Sequence, residues 1–241
     1  MGRHQRLAEL TDVDGDDLVV ADLGCGTGRT VRALLERTPA PRLLHALDAT
    51  SDLDDDLLHD PRVVSRVADL DQRLPFDDAS LDRIVSMNVA ENLQDPAAFL
   101  VECHRTLREG GTAVIGHSDF DTALFTSHDD ALTRLLVDRF VAEVPTWQEN
   151  ADGFMGRKLP GLAADSPLAL VDVVSWADPH RRFDEGSLAW KISMGMLAAV
   201  REDPALSARA ASWVESVRDL ADEGRFLFTI TDVVVVLRRE G

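Results

Sequence analysis

The sequence contains no tyrosine, only two cysteines, and far fewer cations than acids. Losing tyrosine removes one common base and stacking group, which narrows the chemistry only slightly. Cys25 and Cys103 are too few for a disulfide framework and show no metal-ligand spacing. The histidines are scattered without an HxxxH pair, so no metal site is expected. No apolar run approaches the ~20 residues of a membrane span. The opening "MGRHQRLAEL" lacks the apolar centre of a signal peptide. A soluble, cytoplasmic chain with no membrane partner is the expectation. Lys and Arg total 25 against 43 Asp and Glu, a net charge of −18. Such a surface repels phosphate backbones, which argues against a nucleic-acid partner. Clusters such as "DVDGDD" and "SDLDDDLLHD" read as solvated surface.

What remains is substantial. The 241 residues are 45% hydrophobic, enough for one large α/β domain or one domain with an elaboration. Strand and helix patterns alternate in the first half. "LVVADL" (18–23), "RLLHALD" (42–48), "RVVSRVADL" (62–70), "LDRIVSMNV" (81–89) and "TAVIGH" (112–117) read as five strands. Helical spacing is clear in 29–38, with Val31, Leu34 and Leu35 on one face. It is equally clear after Asp95-Pro96, an N-cap and first-turn pair followed by Phe99, Leu100, Cys103 and Leu107. Gly110-Gly111 are expected to end that helix. This alternation predicts a parallel sheet with helices on both faces.

The second half reads differently. Residues 128–144 predict a helix with Leu132, Leu135, Leu136 and Phe140 as its apolar face. Residues 146–167 read as an irregular loop rich in turn formers, and 168–176 as a sixth strand. A helix from Asp203-Pro204 carries a stripe of Leu206, Ala210, Trp213, Val217 and Leu220. Residues 225–239 close the chain, with Thr231-Asp232 as a turn or bulge in a hairpin or in one long edge strand.

The chemistry concentrates in "VVADLGCGTGRT" (19–30), which places three glycines in five positions between a strand and a helix. A strand, a glycine turn and a helix form an anion or nucleotide site. The dinucleotide pattern GxGxxG needs its third glycine at position 29, which is Arg29. No Gly-Lys-Ser/Thr follows, which excludes a Walker loop. The pattern is DxGxGxG, from Asp22 to Gly28.

With "HALDAT", "VADLDQRLPFDDASLDRIVSMNV" and "AENLQDPAAFLVECHRTLREGGTAVI", this segment resembles the class I S-adenosylmethionine-dependent methyltransferases. The resemblance is nearest to the small-molecule enzymes of the ubiquinone/menaquinone-biosynthesis type. It runs continuously over about residues 5–122. It implies a doubly wound, seven-stranded, mostly parallel Rossmann-like sheet with an antiparallel last strand and a helical lid inserted after the fifth strand. The chain is then one domain over 1–241, with its core in 1–117 and 168–241 and the insertion in 118–167. The implied cofactor is S-adenosylmethionine. Asp22 would hold its ammonium group, and Gly24, Cys25, Gly26, Thr27 and Gly28 would lie under its aminoacyl and sulfonium region. Asp48, with Ala49 beside it, would take the ribose hydroxyls, Asp69 and Leu70 the adenine, and Asn88 would face the transfer site. Each acid also has a plain structural role open to it, as a cap or a strand end. Three acids and three glycines at the strand ends together favour a ligand. Cys25 reads as a small packing residue.

The implied reaction is in-line SN2 transfer of methyl to an O-, N- or C-nucleophile of a small-molecule acceptor, with secondary metabolism as the family's habit. Glu91, His117 and Asp119 follow the fourth and fifth strands and are the candidate bases. His117 and Asp119 have local hydrogen bonding as an alternative role. Phe120, Phe125, Trp147, Phe154 and Met155 either line an acceptor pocket or pack the insertion. Arg157 and Lys158 either meet an anionic acceptor or project into solvent. Only a short segment precedes the first motif, so the site is more open than in relatives, or the insertion and a partner subunit close it. A homodimer is compatible with that. The alternatives are a catalytically inactive methyltransferase-like binding protein and, less well matched, a dinucleotide oxidoreductase.

Overall fold

Val19–Leu23 (β1) is apolar except for Asp22, and all five residues are buried, as a strand covered on both faces requires. Around it the chain builds a seven-stranded sheet. The computed structural model describes residues 2–15, 17–50, 52–142 and 153–241. Arg3–Leu10 (α1) precedes β1, followed by Arg29–Leu35 (α2), Leu43–Asp48 (β2), Asp55–Leu58 (α3), Val63–Val67 (β3) and Leu81–Met87 (β4). A 3-10 turn, Ala90–Asn92, leads to Pro96–Thr106 (α4) and Leu107–Phe125 (β5). Then come Asp130–Ala142 (α5), Met155–Ala164 (α6), Ala169–Ala177 (β6), Leu188–Ala199 (α7), Pro204–Asp222 (α8) and Phe228–Arg238 (β7).

The strand order is β3-β2-β1-β4-β5-β7-β6. The pairs β1–β2, β2–β3, β1–β4 and β4–β5 are parallel. Just past β7, Gly110 N–H donates to Arg239 O and Arg239 N–H to Gly111 O, each at 2.9 Å, so two residues oppose one as at a bulge in an antiparallel ladder. The doubly wound, mostly parallel sheet with a reversed last strand is therefore the observed one.

Several elements differ from the sequence expectation. α4 ends at Thr106, not at Gly110-Gly111, and Leu107 already pairs with Leu81. The ladder then skips to Arg83–Thr112, so residues 108–111 form a bulge. A Cβ on Gly111 would lie 2.8 Å from Arg108 O and 3.1 Å from Asp82 O. That glycine serves the bulge. β5 runs to Phe125, well past the expected end at 117. Part of the expected loop 146–167 is α6, despite Pro160 within it. Met155, Leu159 and Ala163 share a helical face and are buried. Leu135 is exposed, with Val137 and Val141 buried in its stead. Residues 228–238 are one strand, placed between β5 and β6, so it is neither a hairpin nor an edge.

The chain divides into two units. The first comprises 1–117, 157–174 and 233–241. Its core gathers Leu7, Val20, Leu23, Leu34, Leu44, Leu47, Ile84 and Val114. The second comprises 118–156 and 175–232, a wider span than the insertion marked out by the sequence. Its core gathers α5, α7 and α8 around Leu136, Met196, Trp213 and Val217. Trp213 Nε1–H donates to Thr133 Oγ1 at 2.8 Å and Ser127 Oγ at 3.0 Å, so its polar edge is satisfied inside an apolar cluster. Among the described residues, no helix is long and apolar enough to cross a membrane.

Candidate functional site

The parallel strands β1, β2 and β4 end on one edge of the first unit, where open α/β sheets place their ligands. At the end of β1 the chain turns sharply. Gly24 and Cys25 donate their N–H groups to Leu47 O on β2, at 2.7 and 2.9 Å. Gly26 N–H donates to Asp48 Oδ2 at 2.7 Å. Gly28 N–H closes back onto Cys25 O at 2.9 Å and its carbonyl starts α2. The loop is thus fixed to the neighbouring strand before any ligand arrives.

The glycines serve different purposes. A Cβ on Gly24 would stand 2.1 Å from Val89 Cγ2, and on Gly28 2.3 Å from Leu57 Cδ1. These two are bare because the protein packs against them. Gly26 has nothing within 4 Å of the same position. With φ of +49° it also adopts a conformation that other residues enter at a cost. Its missing side chain leaves open space over the loop.

Two carboxylates lie beneath and beside this loop. Asp48 is half-buried, and Thr50 N–H and Oγ–H donate to its Oδ1 at 3.2 and 3.3 Å. Asp22 is 2% exposed, and its Oδ2 is buried without a hydrogen-bond partner among the described residues. Burial first, and the Asp48 charge second, push the Asp22 carboxyl up to about 7, against an opposing backbone hydrogen bond from Val31. The Cys25 thiol is raised to about 12, by burial and then by Asp22 and Asp48. It is a protonated packing group with no nucleophilic character.

The remaining expected residues fall around the same edge. Thr27 and Ala49 are exposed, and Thr27 O accepts from Asp54 N–H at 3.2 Å. Asp69 lies just past β3, exposed, with Oδ1 accepting from Asp71 N–H at 3.0 Å. Leu70 beside it is buried. Asn88 directly follows β4 with φ of +59°, and its N–H donates to Gly116 O at 3.0 Å. Strained backbone of this kind persists where its surroundings impose it, and collects at functional sites. His117, the residue after Gly116, is fully buried with Nε2 3.4 Å from Glu91 Oε2. The Glu91 side chain keeps 16% exposure. The middle of β5 and the 3-10 turn after β4 therefore bring these two candidate bases together.

Asp119 belongs to the second unit and is 2% exposed. Gly156 packs on it so closely that a Cβ would meet Asp119 N at 2.9 Å. Beside it in sequence, buried Ser118 donates its hydroxyl to Asp232 Oδ1 at 2.8 Å. Phe125 stacks in an aromatic cluster, 4.6 Å from Phe228 and 5.2 Å from Trp213, so it packs the second unit. Phe120 pairs with Phe140 at 5.4 Å. Met155 is buried and Phe154 half-buried. Trp147 lies outside the described residues. Arg157 and Lys158 are exposed on α6.

Sequence reasoning missed three groups here. Ser86 on β4 is buried and donates to Leu23 O at 2.7 Å, tying the last carbonyl of β1. Val89, and the pair Leu53 and Leu57, fill the space that Gly24 and Gly28 leave. None carries a motif, since each is defined by what it touches.

Comparisons with known proteins bear on this edge. A family model described as "Methyltransferase domain" matches residues 21–115. A 37.1 kDa protein of a transposon from Streptomyces fradiae is 30% identical over 162 residues, 64% of this chain and 44% of that protein. A ubiquinone/menaquinone biosynthesis C-methyltransferase from Geobacter sp. (strain M21) is 31% identical over 103 residues, 40% of this chain and 43% of that protein. The chain thus spans less than half the length of these curated relatives. Among solved structures, the YcgJ protein from Bacillus subtilis superposes with a TM-score of 0.62 at 16% identity, covering 99% of this chain and 98% of that one. The geranyl diphosphate C-methyltransferase from Streptomyces coelicolor A3(2) gives 0.56 at 18% identity, over 98% and 75%. At these identities the structural likenesses establish the fold.

Proposed function

We propose, from the premise that residues 21–115 are a methyltransferase domain of the class I S-adenosylmethionine-dependent kind, that the chain binds S-adenosylmethionine on the Asp22–Gly28 loop and methylates a small-molecule acceptor. One observation carries the reading. The loop is anchored to β2 and to Asp48, yet leaves the space over Gly26 clear. The residues present fit the cofactor. Among the described residues, Asp22 Oδ2 is a buried acceptor without a donor, and an ammonium group is the donor it lacks. Asp48 would receive the ribose hydroxyls, with exposed Asp69 and buried Leu70 beside the adenine.

When bound, S-adenosylmethionine supplies a methyl group on a positively charged sulfur. The protein's own task is then alignment and exclusion of water. The loop and Asp48 would fix the donor end. Asn88, held to Gly116, would border the acceptor. Glu91 and His117 would be the groups to accept a proton from it. The −18 charge favours a small acceptor over a polynucleotide.

Calorimetry with S-adenosylhomocysteine tests the reading. Wild-type protein should bind it, and Asp48→Ala should weaken binding at least about tenfold, the equivalent of ~1.4 kcal/mol. Release of S-adenosylhomocysteine from S-adenosylmethionine with phenol, amine and carboxylate acceptors then identifies turnover. Absence of S-adenosylhomocysteine binding to folded wild-type protein would overturn it.

A further inference from the structure

Asp22 is enclosed more tightly than a turn-capping acid needs to be. It has 2% exposure, and Oδ2 meets no donor among the described residues. Its register neighbours are Ala46 on β2 and Val85 on β4, neither of which has a polar side chain. From α2 it receives only the backbone hydrogen bond of Val31. The titratable groups that act on it or are acted on by it are Asp48 at the end of β2 and Cys25 in the loop. The first is a like charge, already engaged by Gly26 and Thr50, and the second is an uncharged thiol. Neither supplies a cation. An isolated carboxylate in such a place costs several kcal/mol, and neutralisation relieves that cost.

We propose that Asp22 is protonated in the unliganded protein and surrenders its proton when an ammonium-bearing ligand occupies the glycine loop, which makes Asp22 the residue that selects for the ammonium group. The inference rests on the cofactor reading above. The exchange balances: the carboxylic acid and the ligand's ammonium give a carboxylate–ammonium pair, and one proton leaves for solvent. The upward displacement of the Asp22 carboxyl agrees with this. Binding would gain about tenfold in affinity per pH unit while the acid is protonated, and level off once it is ionised.

The test compares two ligands on the full wild-type chain. S-adenosylhomocysteine carries the ammonium group, whereas 5′-methylthioadenosine keeps the nucleoside and lacks it. Calorimetry at pH 6 in two buffers of different ionisation heat counts the protons exchanged. About one proton should be released with S-adenosylhomocysteine and none with 5′-methylthioadenosine. Asp22→Asn should abolish the release and leave 5′-methylthioadenosine affinity within about twofold, which also reports that the variant is folded. S-adenosylhomocysteine binding without proton release, or equal release with both ligands, overturns the proposal while leaving the cofactor reading intact. Failure of both ligands to bind wild-type protein overturns the cofactor reading itself.

Discussion

A buried acid that keeps its proton changes the sign of an ordinary pH dependence. Asp22 is raised from the usual value near 3.8 to about 7. Between those values the folded protein holds a proton that the unfolded chain has lost. Folding then takes up a proton, and stability falls as pH rises through that window. Asp22→Asn removes the slope. Without ligand, the variant should match wild type in urea near pH 4 and exceed it at pH 8, by roughly 1–4 kcal/mol. A lower midpoint for the variant at pH 8 contradicts the assignment. The glycines permit a second separation at this scale. Gly26→Ala meets no protein atom but takes an unfavourable φ, so it should cost only about 1–2 kcal/mol of stability. Its affinity for S-adenosylhomocysteine should fall by far more than that. Gly24→Ala strikes Val89 and should destabilise the fold itself, with partial recovery in the Gly24→Ala, Val89→Ala double variant. Urea titrations alongside calorimetry distinguish these cases.

At the scale of elements, the caps are the points where local chemistry decides the structure. Asp203 Oδ1 accepts from Ala205 and Leu206 N–H at 3.1 and 3.0 Å, at the start of a helix that supplies much of the second unit's core. Asp203→Ala should lower stability by about 1 kcal/mol, read as a shift in urea midpoint. Asp95 does the same for α4 through Ala98 N–H at 2.9 Å. Such caps, the glycine loop and the apolar strands β1, β2 and β4 were legible because a few adjacent residues determine them. The Asp22–Gly28 loop and Asp48 were legible for the same reason. α6 was not, because Gly156, Pro160 and Gly161 all signal a turn. The buried stripe of Met155, Leu159 and Ala163 outweighs them. Gly110-Gly111 misled in the opposite way. A glycine pair after a helical pattern reads as a C-cap, and only the closeness of Asp82 O shows Gly111 to be a bulge residue. The extension of β5 was hidden by its polar composition. Within the second unit, Thr122 Oγ1 accepts from Thr231 N–H at 2.8 Å and Thr126 N–H donates to Leu227 O at 2.8 Å, so the partner segment defines that length. The Glu91–His117 pair lies in the same class, since two residues so far apart in the chain meet only through sheet register.

For the whole molecule, the dominant quantity is charge. With 43 acids against 25 bases, self-repulsion opposes the folded state. Raising KCl from about 10 mM to about 200 mM shortens the screening length from ~30 Å to below 10 Å. Tm at pH 8 should therefore rise with salt. A fall would mean that surface pairs such as Arg32 with Asp54 and Asp56 outweigh the net repulsion.

The division into units has a further consequence, for genetics. One unit is built from three chain segments and the other from two, so the polypeptide passes between them four times. No contiguous stretch of the reading frame encodes either unit. A deletion series made to isolate the glycine-loop unit would remove strands or helices from both. Dissection is better served by point substitutions, which leave every strand and helix intact.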